Sequence, residues 1–150
     1  MQALATAGAG FLLAVLWFDL MFDVQVAGHG GRVLPEAVAG SIAGYYRRVT
    51  TEARPMNRLV AVAMFATLFA VVAQIVRSDG QPLARWLSLV LAVVPIGLAV
   101  SRTVPSAVRL GSRRDPPEAQ ASLARAIYQQ HVICACSIGA LLTVQLIWMG

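Results

Sequence analysis

The chain contains no lysine. Its 150 residues carry twelve basic side chains, all arginine, against seven acidic ones, and charged residues are only 13% of the total. Soluble domains carry about 25%, so a conventional water-facing surface over most of the molecule is excluded. The arginine-only surplus has a bland source in a GC-rich genome. In a soluble protein a net charge of +5 would suggest nucleic acid. Here the arginines fall in loops between apolar stretches, so membrane topology accounts for them and no nucleic-acid partner is expected. Also absent are a G-x-S-x-G nucleophile elbow, a Walker A loop and an H-E-x-x-H zinc motif. No internal repeat or low-complexity tract is present.

Hydrophobic residues make up 58% of the chain and collect in four long stretches, roughly 3–22, 59–76, 83–100 and 127–149. About 20 apolar residues in a helix match a hydrocarbon core ~30 Å thick. The expectation is an all-α membrane protein: four transmembrane helices in an up-down bundle, forming a single domain over residues 1–150. The first long loop carries Arg32, Arg47, Arg48, Arg54 and Arg58, and the second carries Arg102, Arg109, Arg113, Arg114 and Arg125, whereas the opposite side has only Arg77 and Arg85. This asymmetry puts both long loops in the cytoplasm and both termini outside, in a bacterial inner membrane. A cleaved signal peptide is the competing reading of the first stretch. It lacks a charged leading region, and its removal would leave the arginine-rich loop outside.

The first loop is too long for a simple connection. From Pro35, the positions Val38, Ile42, Tyr45, Tyr46 and Val49 recur at three- and four-residue spacing and form an apolar stripe, with Arg47, Arg48 and Glu52 largely off it. The pattern predicts a short amphipathic helix on the membrane surface, with Tyr45, Tyr46, Arg47 and Arg48 at headgroup level. A helix packed beneath the bundle ends fits the pattern equally well. In the second long loop, Asp115-Pro116-Pro117-Glu118 reads as a capped helix start, so the fourth span should begin near Pro116. Gly111 is the expected stop of the helix continuing from the third span. Pro95 should kink that span, opening ligand space or merely being tolerated by packing.

Ionisable groups within a membrane need a partner or a task. Asp19 lies about one turn, ~5 Å, inside the end of the first span, and Asp23 shares its face four residues on. Arg58, Arg102 and His131 end or enter the other spans at the same level, with Asn57, Gln129 and Gln130. Two readings stand. Asp19 and His131 are proton-handling catalytic groups, with Arg58, Arg102, Asn57 and Asp23 binding a substrate or anion. Alternatively, Asp19 pairs with an arginine and only ties helices together. Arg58 and Arg102 also suit snorkelling anchors.

His131-Val-Ile-Cys134-Ala-Cys136 resembles a metal motif, but Cys136 lies ~200° round a helix from Cys134. One ion cannot take all three, the two cysteines cannot form a disulfide, and no metal is expected. No cofactor is predicted either, although His131 has the chemistry of an axial ligand to a haem or chlorophyll-type pigment. His29, in Gly28-His29-Gly30-Gly31-Arg32, could join it only if this glycine-rich hinge folds back over the fourth span. Ala7, Gly8 and Gly10 in the first span, and Ala135, Ser137, Gly139 and Ala140 in the fourth, permit close helix approach.

The four spans, the long amphipathic first loop and Arg54-Pro55-Met56-Asn57 opening the second span give an architecture that resembles the small bacterial membrane proteins grouped with anthrone oxygenases. The resemblance extends over the whole chain as a plan and rests on no specific motif. It implies a cofactor-independent oxygenase acting on a flat, apolar phenolic substrate, and it transfers no catalytic residue. Three functional classes follow: a ligand-binding protein or enzyme with a polar pocket at the cytoplasmic interface, an accessory subunit of a larger membrane complex, or an oligomeric proton-coupled transporter. The lipid bilayer is the expected partner in each, with protein partners or a homo-oligomer beside it.

Overall fold

The computed structural model describes residues 1–53 and 55–148, the side chain of Met56 excepted. Arg54, counted above among the loop cations, and Met149, the expected end of the fourth span, lie outside the described residues. Those described are helical with connecting loops, and no strand occurs among them. Helix α1 covers Gln2–Asp23 and tightens into a 3₁₀ turn at Val24–Val26. α2 covers Glu36–Arg47 and widens into a π-type turn at Arg48–Glu52. α3 covers Met56–Arg77, α4 Pro82–Leu98, α5 Val104–Ser112 and α6 Pro117–Ile147. Four helical segments are long and apolar enough to cross a membrane: α1 with its terminal turn, α3, α4 joined to α5, and α6. The protein is a multi-pass membrane protein by that measure.

The helices stop and bend for local reasons. α3 ends with Ser78 at φ 58°, where the Ser78 and Asp79 amides donate back to the Ile75 and Gln74 carbonyls. That is the reciprocal closure usually built on glycine. Pro95 sits inside α4, and a π-type turn at Ala99–Thr103 separates α4 from α5. Pro105 follows that turn, has no N–H to donate, and crowds the carbonyl four residues back, so the wider turn absorbs it. The helix also runs past Gly111, and Arg113 takes the left-handed conformation at φ 52° instead. Gly111 has a different task, set by α2. A Cβ there would lie 2.7 Å from the Arg47 amide nitrogen, so only glycine lets the two backbones meet. Asp115 does not cap α6. Its carboxylate takes two hydrogen bonds from Arg109, at 2.7 and 2.8 Å, and Pro116 occupies the capping position.

α1 packs on α3 and α6, and α4 packs on the same two helices, closing a ring. Its centre is built from small residues, Ala5, Ala9, Ala70 and Ala92, with Val71, Ile138 and Leu141 between them. Gly8 belongs to this set: a Cβ there would overlap Thr67 Oγ1. Gly10 and Gly139 face open space and make no such approach. Large apolar side chains such as Trp17, Phe65, Phe69 and Trp86 stand exposed around the outside. Nothing in water would favour that surface, whereas hydrocarbon would cover it.

With 31 residues, α6 is about 46 Å long at 1.5 Å per residue, longer than the hydrocarbon core. Its first turns extend beyond the ring, at the end carrying both long connections. There α2 lies across α5 and the base of α6. Ile42, Ala43 and Tyr46 are buried against Ala107, Leu110, Ala124 and Ile127, with Val26 and Leu34 closing the cluster. The apolar stripe of the first loop therefore faces protein. Arg113 clips the start of α2 through a bidentate bond to Glu36, at 2.8 and 2.9 Å. Arg125 holds the glycine-rich hinge by its His29 and Gly31 carbonyls.

Candidate functional site

Where α2 crosses the end of the ring, four side chains from two helices meet around a buried imidazole from a third. α1 supplies Asp19 and Asp23, which four-residue spacing keeps on one face. α2 supplies the adjacent Tyr45 and Tyr46, and α6 supplies His131. Asp23 is wholly buried and its Oδ2 lies 2.6 Å from His131 Nδ1. Its other oxygen accepts the Tyr46 hydroxyl at 2.5 Å. An ionised carboxylate can only accept, so Nδ1 donates in that bond and Nε2 is the nitrogen turned to the cavity. Nε2 faces Asp19 Oδ2 at 3.8 Å, and Tyr45 donates to Asp19 Oδ1 at 2.7 Å. Phe22 stacks on the Tyr45 ring at 4.0 Å between centroids. Burial above all, and then the charges of Asp19 and Asp23, push both tyrosine hydroxyls far above the ordinary phenol range. They are permanent donors to the two carboxylates.

Asp19 and His131 open onto a cavity of about 700 Å³ between α1, the end of α2, the first half of α3 and the α4–α5 junction. Its walls are mostly apolar, with Phe18, Phe22, Val60, Met64, Phe65 and Ile96 prominent, and Tyr45, Asn57, Arg58 and Thr103 add polar points. A smaller pocket of about 110 Å³ continues toward Leu12, Pro95 and Cys134, sharing Asp19 and His131 as part of its wall. Cavities of ~300–1,000 Å³, mainly apolar with a few convergent polar groups, are the usual form of small-molecule sites. Pro95 borders only the smaller pocket, and its carbonyl accepts the Cys134 thiol at 3.6 Å.

The structure brings Asp19, His131, Asn57 and Arg58 to one cavity and leaves the other sequence-selected residues elsewhere. Arg102 is exposed on the π-type turn and does not line it. Asp23 does not line the cavity; it lies behind His131 and bonds its far nitrogen. Tyr46 is 2% exposed, and both tyrosines point inward to the carboxylates, so neither is a headgroup anchor. The helix carrying them found protein to cover its stripe. Arg47 and Arg48 are exposed, with Arg47 3.1 Å from Glu52. His29 is held by the Gln25 carbonyl at 3.0 Å and does not join His131 in the cavity. Among the described residues no group of three or more His, Cys, Asp or Glu side chains is placed to hold a metal ion.

A second polar cluster, at the other end of the ring, escaped the sequence reading. Gln74 of α3 and Gln145 of α6 exchange amide hydrogen bonds at 2.8 and 3.1 Å, and Gln145 also donates to Ser88 of α4 at 3.0 Å. Gln2 donates to the Gln145 carbonyl at 3.0 Å. The available signal was two amides inside apolar spans at matching depth. Thr103, which donates to Gln130 at 2.8 Å beside the cavity, was likewise missed.

No family model, curated protein or solved structure matches this chain. The site's chemistry therefore rests on its own residues.

Proposed function

We propose that this is a small-molecule-binding membrane protein whose Asp19–His131 pair moves a proton on, or holds a proton of, the bound molecule. The observation that carries this reading is the pair itself: a carboxylate and an imidazole nitrogen 3.8 Å apart, both lining a ligand-sized cavity. The second layer supports it. Asp23 and Tyr46 fix the ring's orientation and its tautomer, leaving Nε2 as the base, which is how acid–base histidines are commonly prepared. Asp19 ties α1 to α2 through Tyr45 at one oxygen, while its other oxygen faces His131 beside the cavity rather than an arginine.

In the same proposal the four spans form an up-down bundle in a bacterial inner membrane, with both long loops and the α2 cap in the cytoplasm. Arginine placement supports that orientation. The cavity then sits at the cytoplasmic membrane interface. A proton transfer on an apolar aromatic substrate, as the anthrone-oxygenase resemblance implies, is one activity such a site would serve. The decisive experiment is native mass spectrometry of protein gently extracted from its own membranes, wild type against Met64→Trp. Met64 lines both the cavity and the smaller pocket that continues from it, and a tryptophan there would intrude on both beside Asp19 and His131. The expected result is a monomer or small homo-oligomer with a bound small molecule that the variant loses. Recovery of an empty chain within a large hetero-assembly would replace this reading with that of an accessory subunit.

A further inference from the structure

We infer that the cavity takes a bilayer-dissolved amphiphile bearing a hydroxyl head, which enters sideways from the lipid. The inference rests on the pocket reading above and concerns what fills the pocket and by what route.

The head group follows from the acceptors left facing the cavity. With Nδ1 bonded to Asp23, His131 turns Nε2 to the cavity, and Asp19 presents Oδ2 opposite it. In the neutral imidazole these are two acceptors 3.8 Å apart, which repel unless a hydrogen lies between them. A hydroxyl inserted at this point donates to one of them, and its oxygen takes whatever proton the other carries. Asn57 borders the same cavity. Its Oδ1 is buried without a donor among the described residues, while its amide nitrogen is occupied by the Thr50 carbonyl at 3.3 Å. A buried carbonyl oxygen without a donor is unfavourable, and a ligand donor reaching it would relieve it. Arg58, exposed at the rim, would favour a hydroxyl that ionises.

The route follows from the wall. Phe18 of α1, Phe65 of α3, and Val100 and Val104 beyond the Pro95 kink all line the cavity. Each is also between 49% and 69% exposed, so the cavity wall here is open rather than sealed by protein. These are positions on apolar spans, so the same side chains that floor the cavity face hydrocarbon. A ligand can pass between them without crossing water. On the loop side, α2 covers the site: Tyr45 and Tyr46 bond its two carboxylates and Arg113 clips the helix start. An amphiphile entering laterally places its head at Asp19 and His131 and leaves its chain among the phenylalanines or in the lipid.

The test uses the intact protein in phosphatidylcholine–phosphatidylglycerol vesicles and three photoactivatable probes with the same alkyl chain, ending in a primary alcohol, a methyl ether or a carboxylic acid. The alcohol should label peptides containing Phe18 or Phe65 about tenfold more than the ether, the ratio for one lost buried hydrogen bond. Met64→Trp should abolish that labelling, and Asn57→Leu should reduce the alcohol's advantage over the ether. Equal labelling by alcohol and ether overturns the hydroxyl head, and preferential labelling by the acid replaces it with a carboxylate held by Arg58. If no probe reaches these peptides while native mass spectrometry still finds a polar ligand lost in Met64→Trp, lateral entry fails and the pocket reading stands. If Met64→Trp alters neither experiment, both fail.

Discussion

Removing the Tyr46 hydroxyl tests whether α2 is a structural part of the site. In Tyr46→Phe the ring still fills its place between Leu110 and Ile127, so the change isolates one hydrogen bond. Asp23 Oδ1 loses its donor, and the carboxylate is wholly buried with no water-facing alternative. Hydrogen bonds to charged groups contribute about 1.5–3 kcal/mol in soluble proteins, whereas those inside membranes average about 0.6 because the unfolded chain finds other partners. The bond lies where α2 caps the ring and is 2.5 Å long, so the upper range should apply, about 1.5–3 kcal/mol. Asp23→Leu supplies the second arm of a double-mutant cycle, since leucine fills similar space without accepting. In that background Tyr46→Phe should be neutral or slightly stabilising, because the hydroxyl would itself lack an acceptor. Reversible unfolding in mixed detergent–lipid micelles, followed by circular dichroism, gives the coupling energy. A coupling below about 0.5 kcal/mol, within ordinary additivity, would refute the claim that Tyr46 and Asp23 hold the site together.

Three further outcomes are expected. Gly111→Ala places a Cβ 2.7 Å from the Arg47 amide nitrogen. It should cost about 1–3 kcal/mol as overpacking and raise hydrogen exchange in α2 ahead of α3, whereas unchanged exchange would mean α2 does not rest on α5. Gln145→Leu strands Gln74 and should destabilise by roughly 0.6–1.7 kcal/mol, while Gln74→Leu with Gln145→Leu recovers much of the loss; equal loss in both variants would argue against the reciprocal amide pair. Glu36 titrates below the usual glutamate range because Arg113 hydrogen-bonds it and then adds its charge. Its contribution is therefore present above the unfolded-state pKa and disappears as pH falls through the lower folded value. Exchange in the first turn of α2, corrected for its intrinsic pH dependence, should rise over that interval, and Arg113→Ala should remove the step.

The spans were legible because a helix covered by lipid needs an uninterrupted apolar surface, and few other structures require one. The meeting of Asp19, Asn57, Arg58 and His131 was legible for a related reason: each lies at the polar end of its span, and the order of spans brings those ends to one level. The orientation of α2 was not. Its stripe of Val38, Ile42 and Tyr46 would suit lipid or protein equally, and α5 together with the first turns of α6 supplies the protein surface that covers it. Arg102 does not line the cavity because it lies on the π-type turn before Pro105, which residue spacing at an ideal helical period does not anticipate. Asp23 looked like a ligand group because a carboxylate near a membrane surface has many possible partners. Its connection to the far side of His131 depends on how α1 turns against α6. Gly111 has the composition of a helix stop and serves instead as a crossing point. The close packing that requires it involves a helix more than sixty residues away in sequence.

The most direct test of the account is the side-chain ¹⁵N spectrum of the protein in lipid, because it contains only two histidines, His29 and His131. The account predicts that His131 carries its proton on Nδ1 in a strong hydrogen bond, with Nε2 unprotonated or sharing a proton with Asp19. Asp23→Leu should abolish that Nδ1 signature, Asp19→Asn should move the Nε2 signal, and His29 should remain unchanged by both. A His131 with an ordinary tautomer mixture, indifferent to either substitution, would contradict the oriented base on which the proposed function depends.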